Sequence, residues 1–197
     1  NNIPFSESIK IDQQLSTEWV GAFKNLHLSF DIVFESTIGR YNGFSGKLKA
    51  RILFGSTVPP PRKLHAPTYG RDNLQLLQDK FDELESQGVF GRPEDHGVVV
   101  EYVSPSFLVK KPSGGYRLVT AFTALSEFTK TLPTLMPTVE DMLRTISEWK
   151  YIISTDLKDA FYQIPMAKES MKWCATVTPF RGIRIYLVAC QGLPGSS

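Results

Sequence analysis

Two carboxylates three residues apart, Asp156 and Asp159 in the row STDLKDAFYQI, follow directly on the apolar, β-branched run YIIST (151–155). A carboxylate at the end of such a run is costly to bury unless it is paired or holds a cation. A chain that turns after residue 155 brings both carboxylates to one point, and a divalent cation relieves their repulsion. Mg²⁺ takes oxygen ligands, usually one or two protein carboxylates completed by phosphate oxygens and water. Such a pair is equipped to activate a hydroxyl and stabilise a phosphate leaving group. A plainer account, a strand-end turn residue followed by a helix cap, explains a bare Asp-x-x-Asp better when the motif stands alone.

Other metal chemistry finds few ligands. His27, His65 and His96 all lie far upstream in loop-like or exposed contexts, which weakens a reading as an unrelated metal-dependent hydrolase. Cys174 and Cys190 are sixteen residues apart, with no Cys-x-x-Cys and no histidine at ligand spacing. A zinc site is therefore not expected. Both sit in apolar runs, which predicts buried, reduced thiols in an intracellular protein.

The elements that must position Asp156 can be read from periodicity and turn residues. Leu74, Leu77, Phe81 and Leu84 recur at helical spacing, with Asp72 or Asn73 as the cap and Gly88 as the stop. Residues 98–103 and 107–111 read as strands broken at Ser104-Pro105. The turn signal Pro112-Ser113-Gly114-Gly115 then predicts a β-hairpin between VSPSFLVKK and YRLVTAF. Thr138 and Asp141 form a capping-box-like start to a second helix, whose apolar face holds Met142, Leu143, Ile146 and Trp149. A short strand at 151–155 leads to Asp156. The rows 173–178 and 183–189 flank Pro179-Phe180-Arg181-Gly182 as a second hairpin. Upstream, 46–55 alternates apolar Leu48, Ala50 and Ile52 with basic Lys47, Lys49 and Arg51, a strand pattern. Four prolines make 56–70 an extended connector. Residues 26–34 (LHLSFDIVF) are apolar and β-branched in places, and 1–20 carry no firm pattern. Strands and helices in this order predict an α+β fold rather than alternating βαβ units.

With 197 residues, 42% hydrophobic and 21% charged, the chain can bury a core. Residues 1–100 hold 11 basic and 12 acidic side chains, and 101–197 hold 11 and 8, so the net charge of +2 divides as −1 and +3. The second half thus welcomes a phosphate-bearing partner, though +3 is too weak to argue for one unaided. No signal peptide and no membrane-length apolar run is present. The first residues, Asn-Asn, and the last, Gly-Ser-Ser, suggest a piece of something longer.

Four rows, in order and at matching spacing, resemble the reverse transcriptases of retroviruses and gypsy-like LTR retrotransposons. YIISTDLKDAFYQIPM is similar to that family's first catalytic motif, SPSFLVKKPSGGYRLVTAFTAL to its fingers hairpin, YLVACQGLPGSS to its Gln-Gly segment, and DELESQGVFGRPED to the approach to its domain. The resemblance covers residues 72–197 and implies the fingers and first part of the palm of a right-hand polymerase. Residues 1–71 would be a polyprotein linker or N-terminal extension. It further implies that Asp156 is catalytic and that Asp156 and Leu157 stand at the Mg²⁺ of an incomplete two-metal site. Leu157, Lys158, Asp159 and Ala160 would form the turn beneath the dNTP triphosphate. Phe161 would be a steric gate against a 2′-hydroxyl, although either Phe161 or Tyr162 could face inward. Lys111 and Arg117 would clamp phosphates, and Gln191 and Gly192 would border the nucleotide sugar.

Implied partners are an RNA or DNA template–primer, dNTPs and the rest of a pol polyprotein (protease, remaining palm and thumb, RNase H, integrase), with no membrane. Cytoplasm, a retroelement particle or the nucleus would be the location. Two departures stand out. Ala121-Phe122-Thr123 replaces an Asp–hydrophobic–Arg segment of many relatives, and QGLPGSS is read as a subtype feature. The family's aromatic-x-Asp-Asp turn does not occur within these 197 residues. A second reading is a non-catalytic retroelement remnant that binds nucleic acid or has no function. Because two-metal chemistry needs carboxylates from both motifs, this 197-residue chain alone is expected to give no Mg²⁺-dependent product in a primer-extension assay; template-directed synthesis would contradict the assignment of its missing half.

Overall fold

The computed structural model describes residues 10–12, 14–34, 38–39, 48–65, 68, 70–112, 114–130, 136–150, 152, 156–157 and 159–193. Packing divides the chain into two compact units, Asn1–Ile38 and Gly39–Ser197. In the first, helix α1 spans Thr17–Ser29 and is followed by a 3₁₀ turn at Asp31–Phe34. Ser16 starts α1 by accepting a hydrogen bond from the Trp19 amide at 3.4 Å, and Glu18 in its first turn suits the helix dipole. The row from Leu26 onward is therefore the end of a helix, and no residue of α1 is buried.

The second unit is α+β. Helix α2 spans Arg71–Ser86 and buries Leu77 and Phe81 from the expected apolar stripe. Its N-cap is Gly70, with no side-chain hydrogen bond. Asp72 and Asn73 are thus inside the first turn rather than capping it, where Asp72 still favours the positive end of the dipole. Gly88, at φ 74°, takes the left-handed backbone that ends the helix.

The chain then enters β1 (Phe90–Gly91), the edge of a three-stranded antiparallel sheet in the order β1-β5-β4, with β4 at Ala175–Val177 and β5 at Ile183–Tyr186. A separate two-stranded hairpin pairs β2 (Ser106–Lys110) with β3 (Tyr116–Thr120). Gly114 and Gly115, at φ 92° and 75°, supply the backbone its turn needs. Residues 98–103, expected as a strand, form only isolated bridges, Tyr102 to Arg62 and Val103 to Ala175. Short helices α3 (Thr123–Ser126), α4 (Val139–Ser147), α5 (Ala160–Gln163) and α6 (Lys168–Met171) complete the unit. Thr138 caps α4 as expected: its hydroxyl accepts from the Asp141 amide at 3.1 Å and donates to the Asp141 carboxylate at 2.7 Å. Of the expected apolar face of α4, Met142 and Leu143 are exposed, Ile146 is half-buried, and Trp149, also exposed, lies just past the helix.

The segment expected as a strand at 46–55 is described from residue 48 and forms only single bridges, at Ala50 and Phe54. It is extended all the same, with Ala50, Ile52 and Phe54 turned inward. The Ala50 amide donates to the Pro165 carbonyl, the Ala167 amide to the Ala50 carbonyl, the Ile52 amide to the Ser170 hydroxyl and the Gly55 amide to the Phe128 carbonyl. Phe54 meets the Trp173 ring edge-on at 4.9 Å. The compact unit accordingly begins at Gly39, upstream of the expected division at 71/72.

Rings and one ion pair organise the core. Phe81 of α2, Phe90 of β1, Tyr186 of β5 and Phe122 follow one another at centroid distances of 5.2, 4.4 and 5.7 Å. Arg184 of β5, its side chain 4% exposed, donates to the Glu85 carboxylate at 2.9 Å and to the Arg181 and Ile183 carbonyls at 2.7 and 3.1 Å. Removing a buried partner of this kind strands the other charge. Arg184→Met is expected to lower stability by about 2–3 kcal/mol in urea unfolding. Arg144→Met, which breaks an exposed 3.9 Å pair with Glu140, should change it little.

Candidate functional site

The hairpin β2–β3 carries the cations. Lys111 lies at its turn, donating its amide to Gly115 O at 3.0 Å, and Arg117 sits on β3 opposite Val109. Both side chains are exposed, and neither Lys110, Lys111 nor Arg117 is paired with a carboxylate among the described residues. An unpaired guanidinium keeps its planar fork free for an anion.

Arg117 borders a cavity of about 300 Å³. Its other walls are Phe107 and 118–123 from the hairpin and the segment after it, Tyr162 of α5, Tyr186 of β5, and Gln191 with Gly192. Three residues singled out from sequence, Arg117, Gln191 and Gly192, therefore meet here from distant parts of the chain. Gly192 adopts φ 95°, a backbone that side-chain-bearing residues rarely take. Of the two aromatic candidates, Tyr162 lines the cavity; Phe161 is half-buried and does not.

Asp156 and Leu157 are exposed and, like Lys111, Asp159 and Ala160, are not among the cavity walls. The expected strand at 151–155, except Ile152, and the expected phosphate-turn residue Lys158 lie outside the described residues. Asp159 has φ 51° and ψ 36°, the one non-glycine residue at positive φ among the described residues. It directly precedes α5, the helix that carries Tyr162 to the cavity. Among the described residues no group of three or more His, Cys, Asp or Glu could hold a metal ion.

Behind the cavity lies a set of hydroxyls that the sequence did not single out. Ser106 bonds to Thr120 at 2.6 Å and to Thr176 at 2.7 Å, and Thr120 bonds to the Tyr186 phenol at 2.7 Å, all buried. Their only sequence signal is that Ser106 and Thr120 fall on inward-facing strand positions. Cys174 and Cys190 are buried and free, as expected; burial first, then its neighbour Cys174, pushes the Cys190 thiol up. No helix among the described residues is long and apolar enough to cross a membrane.

Burial, followed by the nearby Asp159 and Cys190, pushes the Tyr162 phenol from 10.0 up to about 12. The folded chain thus holds this proton after the unfolded chain has released it. The resulting stabilisation is complete below pH 10.0 and is lost as pH rises towards about 12. Tyr162→Phe is expected to flatten the fall of the urea midpoint in that window, and an unchanged slope would place the loss elsewhere.

No protein-family model matches the chain. It is 30% identical over 125 residues to the Gag-Pro-Pol polyprotein of bovine leukemia virus (isolate Australian), an alignment covering 64% of this chain and 8% of that protein. With the Gag-Pro-Pol polyprotein of human T-cell leukemia virus 2 it shares 29% identity over 121 residues, 61% of this chain and 8% of that protein. The match thus spans a small part of these relatives' length. Among solved structures, a prototype foamy virus protease-reverse transcriptase superimposes with a TM-score of 0.71 at 21% identity, covering 98% of this chain and 25% of that one. The foamy viral protease-reverse transcriptase in complex with an RNA/DNA hybrid gives 0.70 at 18% identity, with the same coverages. The chain is similar in sequence to a segment of retroviral pol polyproteins, and its α+β fold is that of the protease-reverse transcriptase structures.

Proposed function

We propose that the chain is the fingers and first part of the palm of an RNA-directed DNA polymerase, a pol segment that contributes to nucleotidyl transfer from a dNTP to a primer 3′-hydroxyl. The observation that carries this reading is the convergence of Arg117, Gln191 and Gly192 on one cavity. The resemblance implies a place at the nucleotide for each of them. Within the class, the gypsy-like subtype rests on the row from Gly192 to Ser197.

In this reading Arg117 grips phosphate oxygens through its planar fork, with Lys111 at the hairpin turn as a second point charge. Gln191 borders the sugar, and Gly192 lets the backbone approach it closely. Amides of residues 156–160 would serve the triphosphate, and the ring that excludes a 2′-hydroxyl would be Tyr162, which borders the cavity, rather than Phe161, which does not. Asp156 and the Leu157 carbonyl are hard oxygen donors, and their number suits Mg²⁺, which completes its shell with phosphate and water. When bound there the ion would favour ionisation of the primer hydroxyl and offset charge on the leaving pyrophosphate. Asp156 supplies a carboxylate for that ion, and the second motif's carboxylates would come from other residues of a longer pol chain. Template and primer are held mostly through phosphate and sugar, because a polymerase must accept every sequence.

Equilibrium dialysis of a dNTP against the 197-residue chain in Mg²⁺ tests the cavity. Arg117→Ala is expected to weaken binding by about tenfold or more, the scale of a lost charge-assisted hydrogen bond. Arg144→Ala on α4 should leave it unchanged, and equal affinities for all three proteins would remove the basis of the assignment.

A further inference from the structure

The buried hydroxyls behind the cavity form a single line: Thr176, Ser106, Thr120, Tyr186, with consecutive oxygens at 2.7, 2.6 and 2.7 Å. A hydroxyl has one proton to donate and can accept two bonds. Four hydroxyls joined by three bonds therefore carry one surplus proton, which sits on one of the four while the others donate towards it. On Thr176 or Ser106 it would have no acceptor: both are buried, and among the described residues their hydroxyls bond only within the line. A buried donor without an acceptor costs about 1–3 kcal/mol. Thr120 and Tyr186 both border the cavity together with Arg117 and Gln191, where water or a ligand can take the proton; of the two, the phenol of Tyr186 is the stronger donor.

We propose that the line is polarised from Thr176 towards the cavity, so that Tyr186 presents its phenol proton as a directed hydrogen-bond donor to an oxygen of the bound ligand. That the ligand is a nucleotide rests on the reading above; the direction of the line does not. Thr176 donates to Ser106, Ser106 to Thr120 and Thr120 to Tyr186, each bond polarising the next. Burial raises the Tyr186 phenol well above its ordinary value, while its hydrogen bond with Thr120 acts to lower it. Tyr186 is then a binding residue, and Thr176, Ser106 and Thr120 are positioning residues that act through it.

Two measurements separate the direction from the ligand. The tyrosine Raman doublet of Tyr186, isolated by subtracting the Tyr186→Phe spectrum, distinguishes a phenol that accepts a strong hydrogen bond from one that only donates. The wild-type chain should show acceptance, and Thr120→Val should abolish it; a donor-only signature in the wild type overturns the proposal.

In the dNTP dialysis, Tyr186→Phe should weaken binding about three- to tenfold, one neutral hydrogen bond's worth. Thr176→Val, which does not border the cavity, should weaken it less and add nothing in the Tyr186→Phe background. Ser104→Ala removes a buried hydroxyl outside the line, one with no hydrogen-bond partner among the described residues, and should have no effect. Undiminished affinity of Tyr186→Phe, or full additivity with Thr176→Val, reduces the line to packing. A wild-type chain that shows the acceptor signature but binds no dNTP supports the polarity and removes the nucleotide.

Discussion

The structure depends on how a two-stranded hairpin is held against a three-stranded sheet without sharing a continuous ladder with it. A backbone ladder would fix their relation by regular hydrogen bonds. Here a single backbone bridge just before β2, Val103 to Ala175, is joined by side chains. The rings of Phe81, Phe90, Tyr186 and Phe122 run from α2 across the sheet to the residue just past β3. The hydroxyls of Ser106 and Thr120 on the hairpin bond to Thr176 and Tyr186 on the sheet. Rings supply apolar burial with little directional demand, whereas hydroxyl contacts tolerate only small departures in distance and angle. Together they set where Arg117 stands relative to Gln191.

Much of this was legible in the sequence because local physics was left undisturbed. Thr138 and Asp141 form a reciprocal cap that depends only on residues three apart, and it is present. Gly88 ends α2, and Gly114 and Gly115 turn the hairpin, because a positive φ favours glycine. Local rules gave way where a distant partner decided. The alternating row at 46–55 looks like a strand, but its hydrogen-bond partners are loop carbonyls, amides and a hydroxyl, so it forms bridges and no ladder. Gly70, not Asp72 or Asn73, precedes α2, because a cap must lie outside the helix and the helix starts at Arg71. Helix α1 was missed because its apolar residues form no clean stripe, and none of them is buried.

The site divides in the same way. Arg117, Gln191 and Gly192 are not marked out by their own chemistry; the resemblance of their rows to reverse transcriptases implies them, and the fold brings them to one cavity. Tyr162 and Phe161 could not be separated, since adjacent residues at a helix start differ in direction by the backbone that precedes them. The left-handed Asp159 sets that backbone, and an aspartate there gives only a weak signal. Thr120 and Tyr186 were overlooked because a hydroxyl on an inward-facing strand position looks like an ordinary β-former until its partner is seen.

The extended stretch from Ala50 to Gly55 has a bearing on how the molecule is made. Its hydrogen-bond partners lie at Phe128, Lys130, Pro165, Ala167 and Ser170, more than seventy residues further along the chain. Closing such long loops is slow relative to forming α2 or the hairpin. During synthesis this strap leaves the ribosome well before its anchors exist, so it spends that interval with its backbone groups bonded to water. It is therefore among the last parts to dock, and the nascent chain carries an unpaired extended edge until residue 170 has emerged.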